Sequence, residues 1–479
     1  MRHATAILVL LLGLSGCSYF WGGPSSLAEP SVRSLALAEE LDEILTRHDT
    51  NAIVAARVVR VGDGAELYAR NADVPMIPAS NMKLLVSAAA LDHFGADHTF
   101  DTHLYRSGDD LILVGTGDPA LGDPTIARWN GVDHLHAVHD FVDSVKEAGM
   151  TEVATLFYDD TALPEPRVAA SWDTEDLVYW YAAPVSGLNF NDNCIDVTAR
   201  PADTNDTPAV LDVVPPTTDA VHIVNLTTTT NTSGVGVSIE KTQNASVYAV
   251  VGDVHEARDF KSRPVSDPGY FTADVLRTMF EDAGVTVGEV RSLDREGSGV
   301  ILATASSAMP DVLRRVNNNS QNLFAEALSK LLGDATGHGP TWEGSHAAIV
   351  AFLEDAGIDS TGFAAIDGSG LSRNNRVTVR QLSELMRHMV DHPDADTFSD
   401  SLSIGGGRGT LARRFSETDD TIRGKTGFIG GVRALTVYAD ADNGESYIVS
   451  ILYNQISGSV RPFEKLQDEA VLTVLEKMP

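Results

Sequence analysis

Cysteine is almost absent: the 479 residues contain two, Cys17 and Cys194. A disulfide framework cannot be what holds this chain together. Basic residues are also scarce, with 35 Lys and Arg against 67 Asp and Glu and a formal net charge of −32. Such a surface repels phosphate backbones, which excludes nucleic acid as a natural partner. No His-Glu-x-x-His motif occurs, which argues against a zinc peptidase. The Gly-rich stretch Gly405–Gly409 lacks the Lys-Ser/Thr ending of a phosphate-binding loop and reads as a loop near the reactive residues. The His-rich run Asp133–Asp140 invites a metal reading, but Leu135, Val138, Val142 and Val145 form an apolar helical stripe that puts His136 and His139 on the outer side. No convincing internal repeat is present. Hydrophobic residues make up 43% of the chain, enough for a sizeable core, and the length suits two to four domains of roughly 100–200 residues.

One long apolar run exists, Ala4–Leu14, preceded by Arg2 and His3. It is too short to span a bilayer, which takes about 20 residues, and suits a signal-peptide core. It ends in Leu14-Ser15-Gly16-Cys17, which resembles a bacterial lipobox. Residues 1–17 are therefore expected to be a leader, with a lipid on Cys17 as the new N-terminus and a linker over 18–33. Cys194 would then stand alone, as a small buried apolar residue.

Periodicity predicts a helix over Leu35–His48, strands over Ile53–Val61 and Glu66–Tyr68 around Gly62-Asp63-Gly64, and an apolar helix over Met82–Phe94 opened by Ser80. From about residue 98 to 287 short alternating runs such as Leu111–Val114, Ala154–Tyr158, Val235–Ile239 and Val247–Val251 dominate, with helices over Leu135–Ala148 and Thr272–Ala283. Helices follow over Met309–Val316, Gln321–Leu332, Trp342–Ala356 and Thr378–His388. Strands Val432–Ala439 and Tyr447–Tyr453 are joined by Asp442-Asn443-Gly444, a strong hairpin signal, and Val460–Lys477 closes the chain as a helix. The expected fold is α/β (α+β). The two ends, 34–97 and 288–479, build one antiparallel sheet flanked by helices, and 98–287 is an insertion of two β-rich modules, the inner one over about 161–250.

Three short motifs carry chemistry. Ser80-Asn81-Met82-Lys83 places a hydroxyl and an amine three residues apart, on one helical face. A Ser hydroxyl needs a base, and a Lys amine becomes one only where desolvation or another cation lowers its pKa from about 10.4. Ser320-Gln321-Asn322 precedes an apolar helix. Lys425-Thr426-Gly427 precedes the hairpin, where Lys brings positive charge, Thr can bind a carboxylate, and Gly lets a substrate backbone lie against a strand edge. Each alone has a plain reading as a helix cap or a turn. Their order is what is specific, since this trio marks β-lactamases and penicillin-binding proteins.

The chain resembles the class C low-molecular-mass penicillin-binding proteins, serine D-Ala-D-Ala carboxypeptidases and endopeptidases. The stretch between Ser80 and Ser320 is far longer than single-domain β-lactamases place there. Gly115-Thr116-Gly117-Asp118-Pro119, the region Trp172–Asn193 with Ala183–Asn189, the run Asp367-Gly368-Ser369-Gly370-Leu371-Ser372-Arg373, and Gly407–Leu411 are similar to family segments. The resemblance implies that Ser80 is acylated, Lys83 is its base, and Ser320 and Asn322 form the second wall. It also implies that Lys425 and Thr426 bind the substrate carboxylate, and that backbone N–H groups of Ser80 and Phe428, the residue after Gly427, form the oxyanion hole. Asp176 and Arg373, with Tyr181 nearby, match positions that hold the free end of a diaminopimelate side chain in some members; Asp173 competes with Asp176. The partners implied are peptidoglycan stem peptides, β-lactam antibiotics and a membrane reached through the lipid. The chemistry needs no metal and no cofactor. A β-lactamase, or a wall-binding lipoprotein without activity, remains the alternative, and carboxypeptidase and endopeptidase action share the same acyl-enzyme.

Overall fold

The computed structural model describes residues 32–48, 51–232, 236–242, 246–293 and 299–478. Cys17 and the expected leader lie outside the described residues. Val32 and Arg33, expected in the linker, already belong to the first helix.

The chain begins with α1 (Val32–Thr46), the hairpin β1 (Ile53–Arg60) and β2 (Glu66–Arg70), and α2 (Met82–Phe94). Then come β3 (Thr99–Ser107), β4 (Asp110–Gly115), α3 (Pro124–Asn130), α4 (His136–Glu147) and β5 (Glu152–Asp159). Next are β6 (Cys194–Arg200), β7 (Val210–Val214), β8 (His222–Thr229), β9 (Ser238–Lys241), β10 (Val247–Val254), β11 (Arg258–Pro264), α5 (Pro268–Asp282), β12 (Thr286–Ser292) and β13 (Val300–Ala308). Helices α6 (Met309–Asn317), α7 (Asn322–Ala335), α8 (Trp342–Asp355), α9 (Val379–Val390) and α10 (Ala395–Ser401) follow. The chain closes with β14 (Ser403–Ile404), β15 (Thr421–Ile429), β16 (Val432–Asp440), β17 (Ser446–Asn454) and α11 (Arg461–Lys477).

The two ends share one six-stranded sheet in the order β14-β15-β16-β17-β1-β2. All its pairings are antiparallel, and β1 meets β17 from Ile53↔Asn454 to Arg60↔Tyr447. The β16–β17 turn contains Gly444 at φ +88°, a conformation suited to glycine. Both faces of β17 are buried, so its residues Tyr447–Tyr453 are apolar almost without a break. One face packs on α1 and α11 through Leu41, Val437, Phe463 and Val471. The other packs on the helices through Ala55, Ala434, Ile448 and Leu452. Helix α2 is buried continuously from Met82 to Leu91. A helix buried on every side can only be a core helix.

The boundary expected at 287/288 is wrong, because it falls inside β12. A five-stranded sheet, β12-β5-β4-β3-β13, carries the inserted region on to Ala308, with β12 parallel to β5 and β13 antiparallel to β3. The inner strands likewise pass residue 250: β10 pairs with β8 and β9, and β11 pairs with β6 through Pro264↔Cys194. Strands β12 and β13 are largely exposed. The β12 sequence, TVGEVRS, lacks an apolar face strong enough to mark it before pairing is known. β15 was also missed as a strand, since Gly424, Lys425 and Gly427 interrupt its apolar pattern.

Candidate active site

Ser80 lies in a 3-10 turn, Ala79–Asn81, immediately before α2, which spans the expected Met82–Phe94. Ala79 takes φ +47°, which bends the chain into the turn. The three-residue spacing holds all the same: Lys83 Nζ donates to Ser80 Oγ at 3.1 Å. The amine also donates to Asn322 Oδ1 at 2.7 Å and to the Ser369 carbonyl at 2.6 Å. Lys83 is fully buried. Burial lowers its pKa from 10.5 to about 7, against the opposing pull of Glu326 and Asp367. The free amine is thus available near neutral pH.

Ser320 takes φ +62° just before α7, and its Oγ accepts from Lys425 Nζ at 2.8 Å. Asn322 opens α7. Its Oδ1 holds Lys83, and its Nδ2 donates to the Tyr181 carbonyl at 2.6 Å. Gln321 is tied back to α6, its N–H on the Arg315 carbonyl at 3.1 Å. Arg315 in turn is buried against Asp123 and Asp192 of the inserted region.

Lys425 and Thr426 sit in the middle of β15. Lys425 is fully buried and its amine also donates to the Thr426 carbonyl at 2.9 Å. Burial, with the Lys83 amine beside it, lowers the Lys425 pKa well below the usual lysine value. Thr426 Oγ1 bonds to Thr410 Oγ1 at 2.8 Å. β14 covers β15 only at Arg423 and Gly424, so from Lys425 onward that edge is unpaired among the described residues. A Cβ on Gly427 would lie 2.8 Å from the Pro78 carbonyl and 3.1 Å from the Ser80 nitrogen. Only glycine lets the strand pass this close to the Ser80 backbone. Phe428 follows, its ring exposed beside the Arg433 guanidinium.

These groups open onto a cavity of about 430 Å³ lined by Ser80, Ser320, Asn322, Asp173, Asp176, Tyr181, Arg373 and Phe428, among others. Tyr181 Oη donates to Asp176 Oδ1 at 2.8 Å. Burial and this carboxylate push the Tyr181 hydroxyl pKa upward. Arg373 Nη1 donates to the Gly430 carbonyl at 2.9 Å. Asp173 and Asp176 both reach the cavity, but Asp176 is the one Tyr181 holds. All eleven residues expected in the catalytic and substrate-binding sets are thus described, and those from the three motifs converge on Ser80 and Lys83.

Sequence reasoning missed the support beneath them. The Asp367–Arg373 run is strung between two buried carboxylates. Asp367 accepts from the N–H groups of Gly370 (2.8 Å) and Ser372 (2.5 Å) and from the side chains of Trp172 (2.9 Å) and Asn375 (2.7 Å). Glu326 accepts from the N–H groups of Gly368 (3.0 Å) and Ser369 (2.8 Å) and from Trp342 Nε1 (2.6 Å). The available signal was helical spacing, since Glu326 lies one turn after Asn322 on the same face of α7.

A family model described as the D-Ala-D-Ala carboxypeptidase 3 (S13) family matches residues 37–474. A D-alanyl-D-alanine carboxypeptidase of Actinomadura sp. (strain R39) is 31% identical over 95% of this chain and 87% of its own. A carboxypeptidase of Mycolicibacterium smegmatis is 26% identical over 90% of this chain and 82% of its own. The crystal structure of penicillin binding protein 4 from Haemophilus influenzae superposes with a TM-score of 0.75 at 18% identity, covering 91% of this chain and 99% of that one, and so shares the fold. A match that runs from the first helix to the last, over a site that assembles all three motifs, places the chain in the D-Ala-D-Ala carboxypeptidase 3 (S13) family.

Proposed function

We propose that this D-Ala-D-Ala carboxypeptidase cleaves peptidoglycan stem peptides through an acyl-enzyme on Ser80. The observation that carries the reading is the contact between the Ser80 hydroxyl and a buried Lys83 amine with its pKa lowered to about 7. Lys83 takes the Ser80 proton as Oγ bonds to the carbonyl carbon between two D-alanines. The oxyanion forms between the N–H groups of Ser80 and Phe428, where each donor is worth about 3 kcal/mol. Ser320, bonded to Lys425, passes a proton to the leaving nitrogen; the C–N bond breaks and D-alanine departs. Lys425 and Thr426 hold its carboxylate, and the open edge of β15 receives the peptide backbone. Water then hydrolyses the Ser80 ester. A carboxypeptidase and an endopeptidase differ only in which amine leaves.

In the same reading Asp176, steadied by Tyr181, and Arg373 face the ammonium and carboxylate of a diaminopimelate side chain, a pairing of opposite charges suited to a zwitterion. Penicillin acylates Ser80 and its tethered leaving group blocks hydrolysis. The sequence ahead of Cys17 supports export and a lipid on that cysteine, which would keep the enzyme on the outer side of a bacterial membrane; Cys17→Ala protein should then leave the membrane fraction. Mass spectrometry after penicillin tests the centre of the proposal. One adduct is expected, on Ser80, and none on Ser80→Ala. An intact parent protein without an adduct refutes it.

A further inference from the structure

Glu326 has no place in the chemistry above, yet it is fully buried within a helix whose neighbouring residues, Leu323 to Leu332, are mostly apolar. A carboxylate in such a setting is costly unless donors surround it. Its three donors are the indole of Trp342 and the N–H groups of Gly368 and Ser369. Ser369 connects it to the reaction. The N–H of Ser369 lies on Glu326 at 2.8 Å, and the carbonyl of the same residue receives Lys83 Nζ at 2.6 Å, the shortest of that amine's three contacts. The loop cannot yield easily, because a Cβ on Gly368 would lie 2.5 Å from Ser329 Oγ and 2.6 Å from the Ala325 carbonyl, so the loop rests directly on α7.

We infer that Glu326 is a positioning residue for Lys83: it fixes the Ser369 carbonyl against the amine and supplies negative charge that favours the amine's protonated form. The inference rests on the role of Lys83 proposed above. The charged and titratable groups around the pair come from four elements. Glu326 and Lys330 stand on α7, Asp367 on the loop, Lys83 on α2 and Lys425 on β15. Glu326 and Asp367 oppose the desolvation of Lys83, while the Lys83 amine disfavours charge on Lys425. Burial and Asp367 raise the Glu326 pKa, against hydrogen bonds from Ser369, Gly368 and Trp342. Glu326 acts on the Lys83 amine through charge, so a change at one moves the other.

The test is the second-order rate of Ser80 acylation by a fluorescent penicillin, followed across pH in the full chain and two variants. Glu326→Gln removes the charge. Its acid limb should move to lower pH by roughly one unit, because the amine loses its nearby anion. Its plateau should fall about tenfold as the Ser369 carbonyl shifts. Glu326→Asp keeps the charge but retracts it by one methylene, so its limb should stay in place while its plateau falls. Limbs that superimpose for the parent and a folded Glu326→Gln overturn the inference. Should Glu326→Gln not fold, a Glu326→Asp plateau equal to the parent's overturns it instead. A parent protein that is never acylated refutes the proposed function; an acylating parent with unmoved variants refutes only the role of Glu326.

Discussion

Gly370 gives the sharpest test of how the site is held together. It takes φ +87°, and a Cβ built there would lie 1.9 Å from the Ala79 carbonyl oxygen and 3.1 Å from the Ser80 nitrogen. Ordinary contact begins near 3.5 Å, so in Gly370→Ala the loop and the Ser80 turn must part by roughly 1.5 Å. Both sides are anchored backbone. The Gly370 N–H is held by Asp367, and the turn is followed by a helix buried from Met82 to Leu91. A left-handed alanine costs about 1–2 kcal/mol before any clash is counted, and the whole change should destabilise the fold by roughly 2–4 kcal/mol. The kinetic effect should be larger in proportion. A displacement of about 1 Å at the nucleophile costs on the order of a hundredfold in rate, so acylation by a fluorescent penicillin should fall by about that factor in protein that is still folded. Urea denaturation and stopped-flow acylation read the two effects separately. A variant with parent-like acylation and parent-like stability would show that Ser80 does not depend on this contact and would refute the reasoning.

Three further outcomes are expected. The acylation rate should rise through about pH 7, because Lys83 is a free amine only above its lowered pKa; a limb centred near the ordinary lysine value of 10.5 would contradict this. Arg373→Ala should raise KM for a peptide bearing diaminopimelate by roughly tenfold or more while leaving acylation by benzylpenicillin, which lacks that side chain, near the parent rate; equal losses on both would remove Arg373 from side-chain recognition. Arg315→Met leaves the buried Asp123 and the partly buried Asp192 without their cation and should cost about 3 kcal/mol in urea denaturation. Adding Asp192→Asn should recover part of that loss, and a fully additive double variant would deny the coupling.

Much of the fold could be read from local pattern. The Met82–Leu91 stretch, apolar but for Lys83 and Ser87, is a core helix, and the Asp442-Asn443-Gly444 turn joins two strands as expected. What failed was the edge of the insertion. β12 and β13 are the exposed edge strands of their sheet, and only their partners β5 and β3 reveal them. The K-T-G strand failed similarly, because one of the residues that disrupt its apolar pattern, Gly427, is the residue that lets it run past Ser80.

The sequence by itself determined the list of reactive groups, their order, and the one contact that needs no tertiary structure, Ser80 with Lys83, because three residues of turn and helix bring them together wherever the helix lies. Tertiary structure decided the rest. That Lys425 reaches Ser320, that the Tyr181 backbone meets Asn322, and that Glu326 lies beneath Ser369 depend on sheet pairing and helix packing between segments far apart in the chain. The pKa of Lys83 belongs to the same category: a spacing fixes which atoms can touch, but only burial fixes how much water an amine loses, and that loss turns an ordinary ammonium into a base.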